Sequence, residues 1–137
     1  MWALYALLAA ITAALMTIIG KIGLKNIDPT LATGIRSLFM FVFMAMVVFF
    51  TGKLKGIGGI DRNALITIIA SAVFGALSWL FYFLALRDGT ASRVAAIDRT
   101  SIVFIILMSA LFLAEKLTWK IAAGGLFVAI GAILIAI

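Results

Sequence analysis

Four charged side chains lie inside otherwise apolar runs of this sequence or at their ends. Lys21 ends the first run, Arg36 lies about five residues into the second, and Asp98 and Arg99 lie near the start of the fourth. A charge at the centre of a bilayer costs about 2.5–3.5 kcal/mol on insertion scales, and less near an interface. A long arginine can extend to the headgroups, but an aspartate cannot reach as far. We therefore expect Asp98 to contact a cation inside the protein.

These four residues fall on the same membrane side if successive helices run antiparallel, as the short loops require. Three cations against one acid leave a surplus of positive charge, which suggests an anionic or zwitterionic ligand. On a helix, Ser101 shares about the same face as Asp98, whereas Arg99 points about 100° away. Two interpretations stay open: a binding or gating cluster beside a cavity, or an ion-pair network that ties three helices together.

A second group of candidate residues forms a polar stripe on the third apolar run. Ser71, Gly75, Ser78 and Tyr82 recur at spacings of four, three and four residues, and Trp79 lies on the same turn as Tyr82. The serines could bond back to their own helix, which would make the stripe purely structural. A polar stripe with aromatic neighbours equally suits the wall of a substrate cavity.

Small residues mark further helix faces. In the first run, Ala14 and Thr17 continue a face of alanines, and we expect Thr17 to line the same cavity. In the last run, Gly125 and Ala129 form a small-xxx-small pair, a pattern that allows membrane helices to approach closely. For this pair we favour plain helix packing over a role in binding.

The elements that must position these residues follow from the composition. Of the 137 residues, 66% are hydrophobic and only 12% are charged. The apolar residues form five blocks of about 19–23 residues, long enough to cross a hydrocarbon core of about 30 Å. Because backbone groups in lipid must be satisfied within the segment, each block should be a helix. The sequence predicts one all-α transmembrane domain over residues 1–137, with helices at 2–20, 31–50, 64–86, 94–113 and 119–137.

The residues between the blocks are typical of helix ends. The composition also excludes several kinds of chemistry. Asp28 followed by Pro29 is a typical helix start. The chain has no cysteine and no histidine, which excludes disulfides, histidine-bound haem and ordinary zinc sites. No catalytic residues, metal or cofactor are predicted, and we expect no enzyme activity. The net charge of +6 comes mostly from residues that flank the apolar blocks, so no nucleic-acid partner is expected.

Orientation in the membrane should follow the lysines and arginines on each side. The side of the N-terminus holds five and the other side six, so there is no bias. The five are Lys53, Lys55, Arg62, Lys116 and Lys120, and the six are Lys21, Lys25, Arg36, Arg87, Arg93 and Arg99. A chain without a bias can insert either way up, and two copies inserted oppositely would recreate an inverted repeat. The alternative is a fixed orientation set by a partner or by the insertion machinery.

The order of segments resembles a known family. The stretch "KIGLKNIDPTLATGIRS", followed by "SWLFYFLALRDGTASRVAAIDRTSIVFIILMSALFLAEKLTWKIAAGGLFVAIGAILI", resembles the EamA domain of the drug/metabolite transporter superfamily. The resemblance covers essentially the whole chain. It implies a polytopic membrane protein that moves small metabolites or drugs. Most members have ten helices made of two five-helix repeats in opposite orientation, and this chain resembles a single repeat, one half of such a transporter.

One departure from the superfamily limits the mechanism. Its smaller four-helix exporters are known for a glutamate within their first helix, whereas the first block here contains no acid. A proton-for-drug exchange centred there cannot be carried over. If protons couple to transport, Asp98 is the one intramembrane candidate. Glu115 fits the family pattern "LAEKLTW" but should lie at the interface, in a cap or a salt bridge.

Taken together, these features predict a secondary transporter in a prokaryotic inner membrane. It would work as an antiparallel homodimer by alternating access, with a small-molecule substrate. Its binding or gating residues would be drawn from the positions above. They are Thr17, Lys21, Arg36, Ser71, Ser78, Trp79, Tyr82, Asp98, Arg99 and Ser101. The rival hypothesis is a non-transporting subunit or structural module that pairs with another membrane protein.

Overall fold

The structure, a computed structural model, describes residues 1–137 and consists of helices joined by short connections. Five helical segments are long and apolar enough to cross a membrane, which confirms the predicted all-α polytopic membrane fold. The α-helices are α1 (Trp2–Gly23), α2 (Pro29–Phe50), α3 (Arg62–Asp88), α4 (Ala91–Asp98), α5 (Ser101–Phe112) and α6 (Trp119–Ala136), and 3₁₀ helices cover Leu24–Asn26 and Lys53–Gly59.

Contacts divide the chain into two units. The first combines residues 1–22 with residues 88–137, and therefore contains α1, α4, α5 and α6. The second, residues 23–87, contains α2 and α3. The organisation of all 137 residues as one domain stays a prediction.

The start of α2 shows why the second span begins where it does. The Asp28 carboxylate accepts hydrogen bonds from the backbone N–H groups of Thr30, at 2.9 Å, and Leu31, at 3.1 Å. These bonds, the one from Leu31 above all, lower the pKa of Asp28, and the carboxylate caps two donors that the first turn leaves unpaired. Pro29 follows as the first helical residue, so the predicted helix start is confirmed.

The fourth apolar block differs from the uninterrupted helix that we expected over 94–113. Helix α4 ends at Asp98, and the next backbone hydrogen bonds span three residues instead of four. Thr100 N–H donates to Ile97 O at 3.0 Å, and Ile102 N–H donates to Arg99 O at 3.1 Å. The Thr100 hydroxyl also donates to Ile97 O, at 2.7 Å, and so competes for the carbonyl that would continue the α-helix. The chain stays right-handed helical through this point but makes one tighter, 3₁₀-type turn.

In the first unit, α4 and α5 both pack against α6 through small residues. Ala96 of α4 is buried, as are Gly125 and Ala132 of α6. A Cβ placed on Gly125 would lie only 2.8 Å from the Cδ1 atom of Ile106 on α5, so this glycine allows the two helices to meet. The packing interpretation is therefore supported at Gly125.

In the second unit, much of α3 is exposed and not packed against small residues. None of the residues in its most apolar 18-residue window is buried within the chain, and Phe74 is 73% exposed. In water such a surface would cost more free energy than the fold can supply. Hydrocarbon chains or another apolar protein surface must therefore cover the exposed faces of α3.

Gly125 and Gly124 give a matched test of helix packing. We expect Gly125→Leu to destabilise the protein by about 1–3 kcal/mol, because the new side chain must push Ile106 out of its place. Gly124→Leu adds the same side chain to the same helix, where a Cβ meets nothing within 4 Å, and should leave the thermal midpoint in detergent unchanged or higher. Equal midpoints for the two variants would contradict the packing of α5 on α6.

Candidate functional site

Arg36 is held on an aromatic surface inside the second unit. Its guanidinium carbon lies 3.8 Å from the ring centroid of Trp79 and 5.2 Å from that of Phe83. The two rings are four residues apart on α3 and therefore share one face of that helix. A desolvated cation on an aromatic face gains about 2 kcal/mol, which offsets part of the cost of placing a charge in a membrane-spanning segment.

The rings beneath Arg36 also pack against one another. Trp79 and Tyr82 lie edge to face, with centroids 6.1 Å apart, and both lie within 6.3 Å of the Phe83 centroid. Phe83 is only 4% exposed, and Leu86 in the next turn is fully buried. This packing fixes the orientation of the Trp79 ring, and with it the plane against which the guanidinium stacks.

A cavity of about 350 Å³ opens beside the stacked guanidinium, between α2 and α3. The α3 wall is made mostly of small residues, and a Cβ on Gly75 would meet nothing within 4 Å. The lining residues are Thr33, Arg36, Ser37, Met40, Ala72, Gly75, Ala76 and Trp79. Arg36 is the only charged residue in that set, and the other polar side-chain groups are the hydroxyls of Thr33 and Ser37 and the indole N–H of Trp79.

The hydroxyl groups of Thr33 and Ser37 already donate hydrogen bonds to backbone carbonyls of α2. Thr33 Oγ1 donates to the Pro29 carbonyl at 2.7 Å, and Ser37 Oγ donates to the Thr33 carbonyl at 2.8 Å. A hydroxyl whose proton is engaged in its own helix still has oxygen lone pairs. Toward the cavity, these two oxygens therefore act as hydrogen-bond acceptors.

The structure divides the predicted polar stripe of α3. Gly75 lines the cavity, and Trp79 forms its aromatic end, whereas Ser71 and Ser78 are exposed and do not line it. The lining face is rotated by about one residue, or about 100°, from the face that the stripe defines. Tyr82 is half-buried and contributes through its contact with Trp79.

The remaining predicted residues lie in the first unit. The Lys21 ammonium donates to the backbone carbonyl of Gly89 at 2.9 Å, which joins the end of α1 to the connection between α3 and α4. Thr17 is buried, and its hydroxyl donates to the Ala13 carbonyl at 2.9 Å.

Asp98 is half-buried at the last residue of α4, next to the tightened turn. Within this unit, neither Lys21 nor Arg99 forms a hydrogen bond or an ion pair with its carboxylate. Arg99 and Ser101 are both exposed. No three His, Cys, Asp or Glu side chains come together at a position that could hold a metal ion.

Sequence reasoning did not find Phe83, Thr33 or Ser37. The segment "WLFYF" places aromatic rings at positions i and i+4, and an arginine lies in the neighbouring antiparallel helix. That combination was the available signal for a cation–π contact. Which ring meets the arginine depends on the rotation of both helices, which sequence spacing does not define.

Two phenylalanines of α3 test how far the rings stabilise the site. We expect Phe83→Leu to destabilise the protein by about 1–2 kcal/mol, because it removes a buried ring that packs on Trp79 and faces Arg36. The same change at Phe81, which is 63% exposed, should have little effect. Thermal midpoints in one detergent compare the two variants, and an equal loss from both would remove the aromatic cluster from the stability of this unit.

Comparison with known proteins gives one family for the whole chain. The model of the EamA-like transporter family matches residues 1–137. A protein of Sinorhizobium sp. called "Uncharacterized transporter in cobO 3'region" is 37% identical over 136 residues, which are 99% of this chain and 96% of that protein. No solved structure matches. With its five apolar helices, the chain is a multi-pass protein of the cell membrane and belongs to the EamA-like transporter family.

Proposed function

We propose that the chain is a secondary transporter that moves a small metabolite or drug-like molecule, works as an antiparallel homodimer and functions by alternating access. The observation that carries the proposal is the cavity between α2 and α3 with its stacked arginine. A guanidinium placed in a membrane-spanning helix pair is expensive, and such groups usually serve a substrate or ion pathway. The cavity volume of about 350 Å³ also falls in the range of small-molecule sites.

Two observations support the proposed homodimer, the number of spans and the distribution of charges. Five spans place the two ends of the chain on opposite membrane faces, and five lysines and arginines on one side against six on the other set no preferred orientation. Two oppositely inserted copies would supply the ten helices of an inverted repeat. The Sinorhizobium relative supports this reading, because a protein of nearly the same length carries the name of a transporter.

Alternating access requires parts that move against each other. In the proposed dimer, Lys21, Arg36, Asp98 and Arg99 of each copy gate one end of the pathway. The remaining predicted residues, Thr17, Ser71, Ser78, Trp79, Tyr82 and Ser101, line it. The tightened turn between α4 and α5 would act as the hinge, since a short 3₁₀ stretch within a helix often marks one. The surplus of positive charge favours an anionic or zwitterionic substrate.

Dual insertion can be measured directly because the chain contains no cysteine. Gly56→Cys and Thr90→Cys place single thiols in exposed loops that should lie on opposite sides of the membrane. We expect an impermeant maleimide applied to intact cells to label about half of each variant, since both orientations would be present. Full labelling of one variant and none of the other would refute the antiparallel homodimer and favour a partner protein of opposite orientation.

The substitution Asp98→Asn tests whether transport is coupled to a proton gradient. A screen of metabolites for thermal stabilisation of the purified protein supplies a solute, and counterflow in proteoliposomes measures its transport. We expect Asp98→Asn to abolish transport or to leave it uncoupled from a proton gradient, because the amide cannot carry a charge. Asp61→Asn, in the exposed loop before α3, makes the same change outside the spans and should transport normally. Unchanged transport by Asp98→Asn would remove this residue from the mechanism.

A further inference from the structure

We infer that residues 53–62, which connect α2 to α3 and which we call the anchor segment, lie along the bilayer surface and bind anionic phospholipid headgroups. The apolar side chains of the anchor segment enter the bilayer, and its lysines contact the lipid phosphates. The inference goes beyond the proposed function, because binding of lipid at this surface requires neither a homodimer nor a transported substrate.

The 3₁₀ helix of the anchor segment, Lys53–Gly59, has one apolar face. In a 3₁₀ helix, side chains three residues apart eclipse each other. Leu54, Ile57 and Ile60 have this spacing, and the hydrogen bond from Ile60 N–H to Ile57 O, at 3.3 Å, continues the pattern to Ile60. Their side chains are 46%, 58% and 44% exposed, so the protein itself leaves this apolar face largely uncovered.

The other two faces of the 3₁₀ helix carry lysines and glycines. Lys53 shares its face with Gly56 and Gly59, and Lys55 shares its face with Gly58. Both lysines are exposed, and one lies on each side of the apolar face. The glycines add no bulk that would hold the ammonium groups away from a flat surface. An apolar face with cations beside it is typical of helices that lie in the plane of a membrane surface.

The charges of the anchor segment favour an anionic partner. Lys53, Lys55 and Arg62 stand against a single acid, Asp61. The Asp61 carboxylate accepts a hydrogen bond from the backbone N–H of Asn63, at 3.0 Å, and so caps the start of α3. The side chains of the three cations form no hydrogen bond or ion pair with other residues of the protein. Lysines and arginines near a membrane surface are attracted to anionic lipids, so lipid phosphates match the charge that the segment offers.

The two adjoining spans hold the anchor segment at the bilayer surface. Helix α2 ends at Phe50, three residues before Lys53, and α3 begins at Arg62, three residues after Gly59. Three extended residues reach about 10 Å at most. The seven residues of the 3₁₀ helix are about 14 Å long, at a rise of about 2.0 Å per residue. Because both of its ends are tied to spans, the helix lies along the surface and does not project from it.

Two single-cysteine variants test whether the apolar face enters the bilayer. Ile57→Cys lies on that face, and Gly56→Cys lies one residue away, where a Cβ meets nothing within 4 Å. The chain has no other cysteine, so each variant carries one bimane probe, in nanodiscs that contain phosphatidylcholine and phosphatidylglycerol. We expect a nitroxide on the lipid acyl chains to quench the probe at position 57 about threefold more than the probe at position 56, and aqueous iodide to show the reverse order.

Equal quenching of the two probes by each quencher would overturn the inference, because it would mean that the segment presents no apolar face to the bilayer. Protection of the probe at position 57 from both quenchers would also overturn it. That result would mean that protein, such as a second copy of the chain, covers the face.

A comparison of headgroups tests the role of the lysines. With the probe at position 56, nitroxide-labelled phosphatidylglycerol and nitroxide-labelled phosphatidylcholine are added in turn to phosphatidylcholine nanodiscs. We expect the anionic lipid to be enriched about tenfold beside the probe, and the enrichment to fall as salt screens the charges. Lys53→Gln combined with Lys55→Gln should abolish the enrichment. These substitutions change only exposed side chains without partners in the protein, so the thermal midpoint in phosphatidylcholine should not change.

A matched control removes two lysines elsewhere. Lys116→Gln combined with Lys120→Gln makes the same change of net charge at the connection between α5 and α6, and should leave the enrichment beside position 56 intact. Enrichment that survives the loss of Lys53 and Lys55, or that falls equally in both double variants, would overturn the inference.

These outcomes are independent of the proposed function, since both leaflets of a nanodisc contain the same lipids and the orientation of the chain does not matter. Enrichment of the anionic lipid by a protein that inserts in one orientation would sustain this inference and refute the antiparallel homodimer. Dual insertion of a protein that shows no preference between the headgroups would do the reverse.

Discussion

The cost of holding a guanidinium within a hydrocarbon-spanning helix pair explains most of what is unusual in α2 and α3. Arg36 meets part of that cost with the ring of Trp79, and the orientation of that ring is in turn fixed by the buried side chain of Phe83. The ring occupies one end of the helix interface. Small residues beside it leave the space that becomes the cavity.

The first unit handles its cations in another way. Lys21 donates to the Gly89 carbonyl, and Arg93 donates to the backbone oxygen of Ile137 at 3.0 Å. Carbonyls near helix ends lack intrahelical partners, and nearby cations satisfy them at little cost. These contacts join elements of the unit to one another. The arginine of the second unit, by contrast, lines a cavity.

Asp98, the acidic residue of α4, makes neither an aromatic contact of the first kind nor a backbone contact of the second. It is the last residue of α4, where the backbone hydrogen bonds change to the 3₁₀ pattern. A carboxylate left unpaired in a membrane span is expensive to retain, and this cost is one reason for the proposed role of Asp98 in transport. The tightened turn that follows Asp98 is the hinge of the proposed transport cycle.

By itself, the sequence determined the number of membrane spans, the start of α2 at Asp28 and Pro29, and the family, because hydropathy, capping and segment order are local properties of the chain. Tertiary structure alone decided that Arg36 lies on Trp79 and that the cavity uses the Gly75 face of α3, not its serines. Each of these depends on how far a helix is rotated, and one residue of rotation, about 100°, presents a different face to its neighbour.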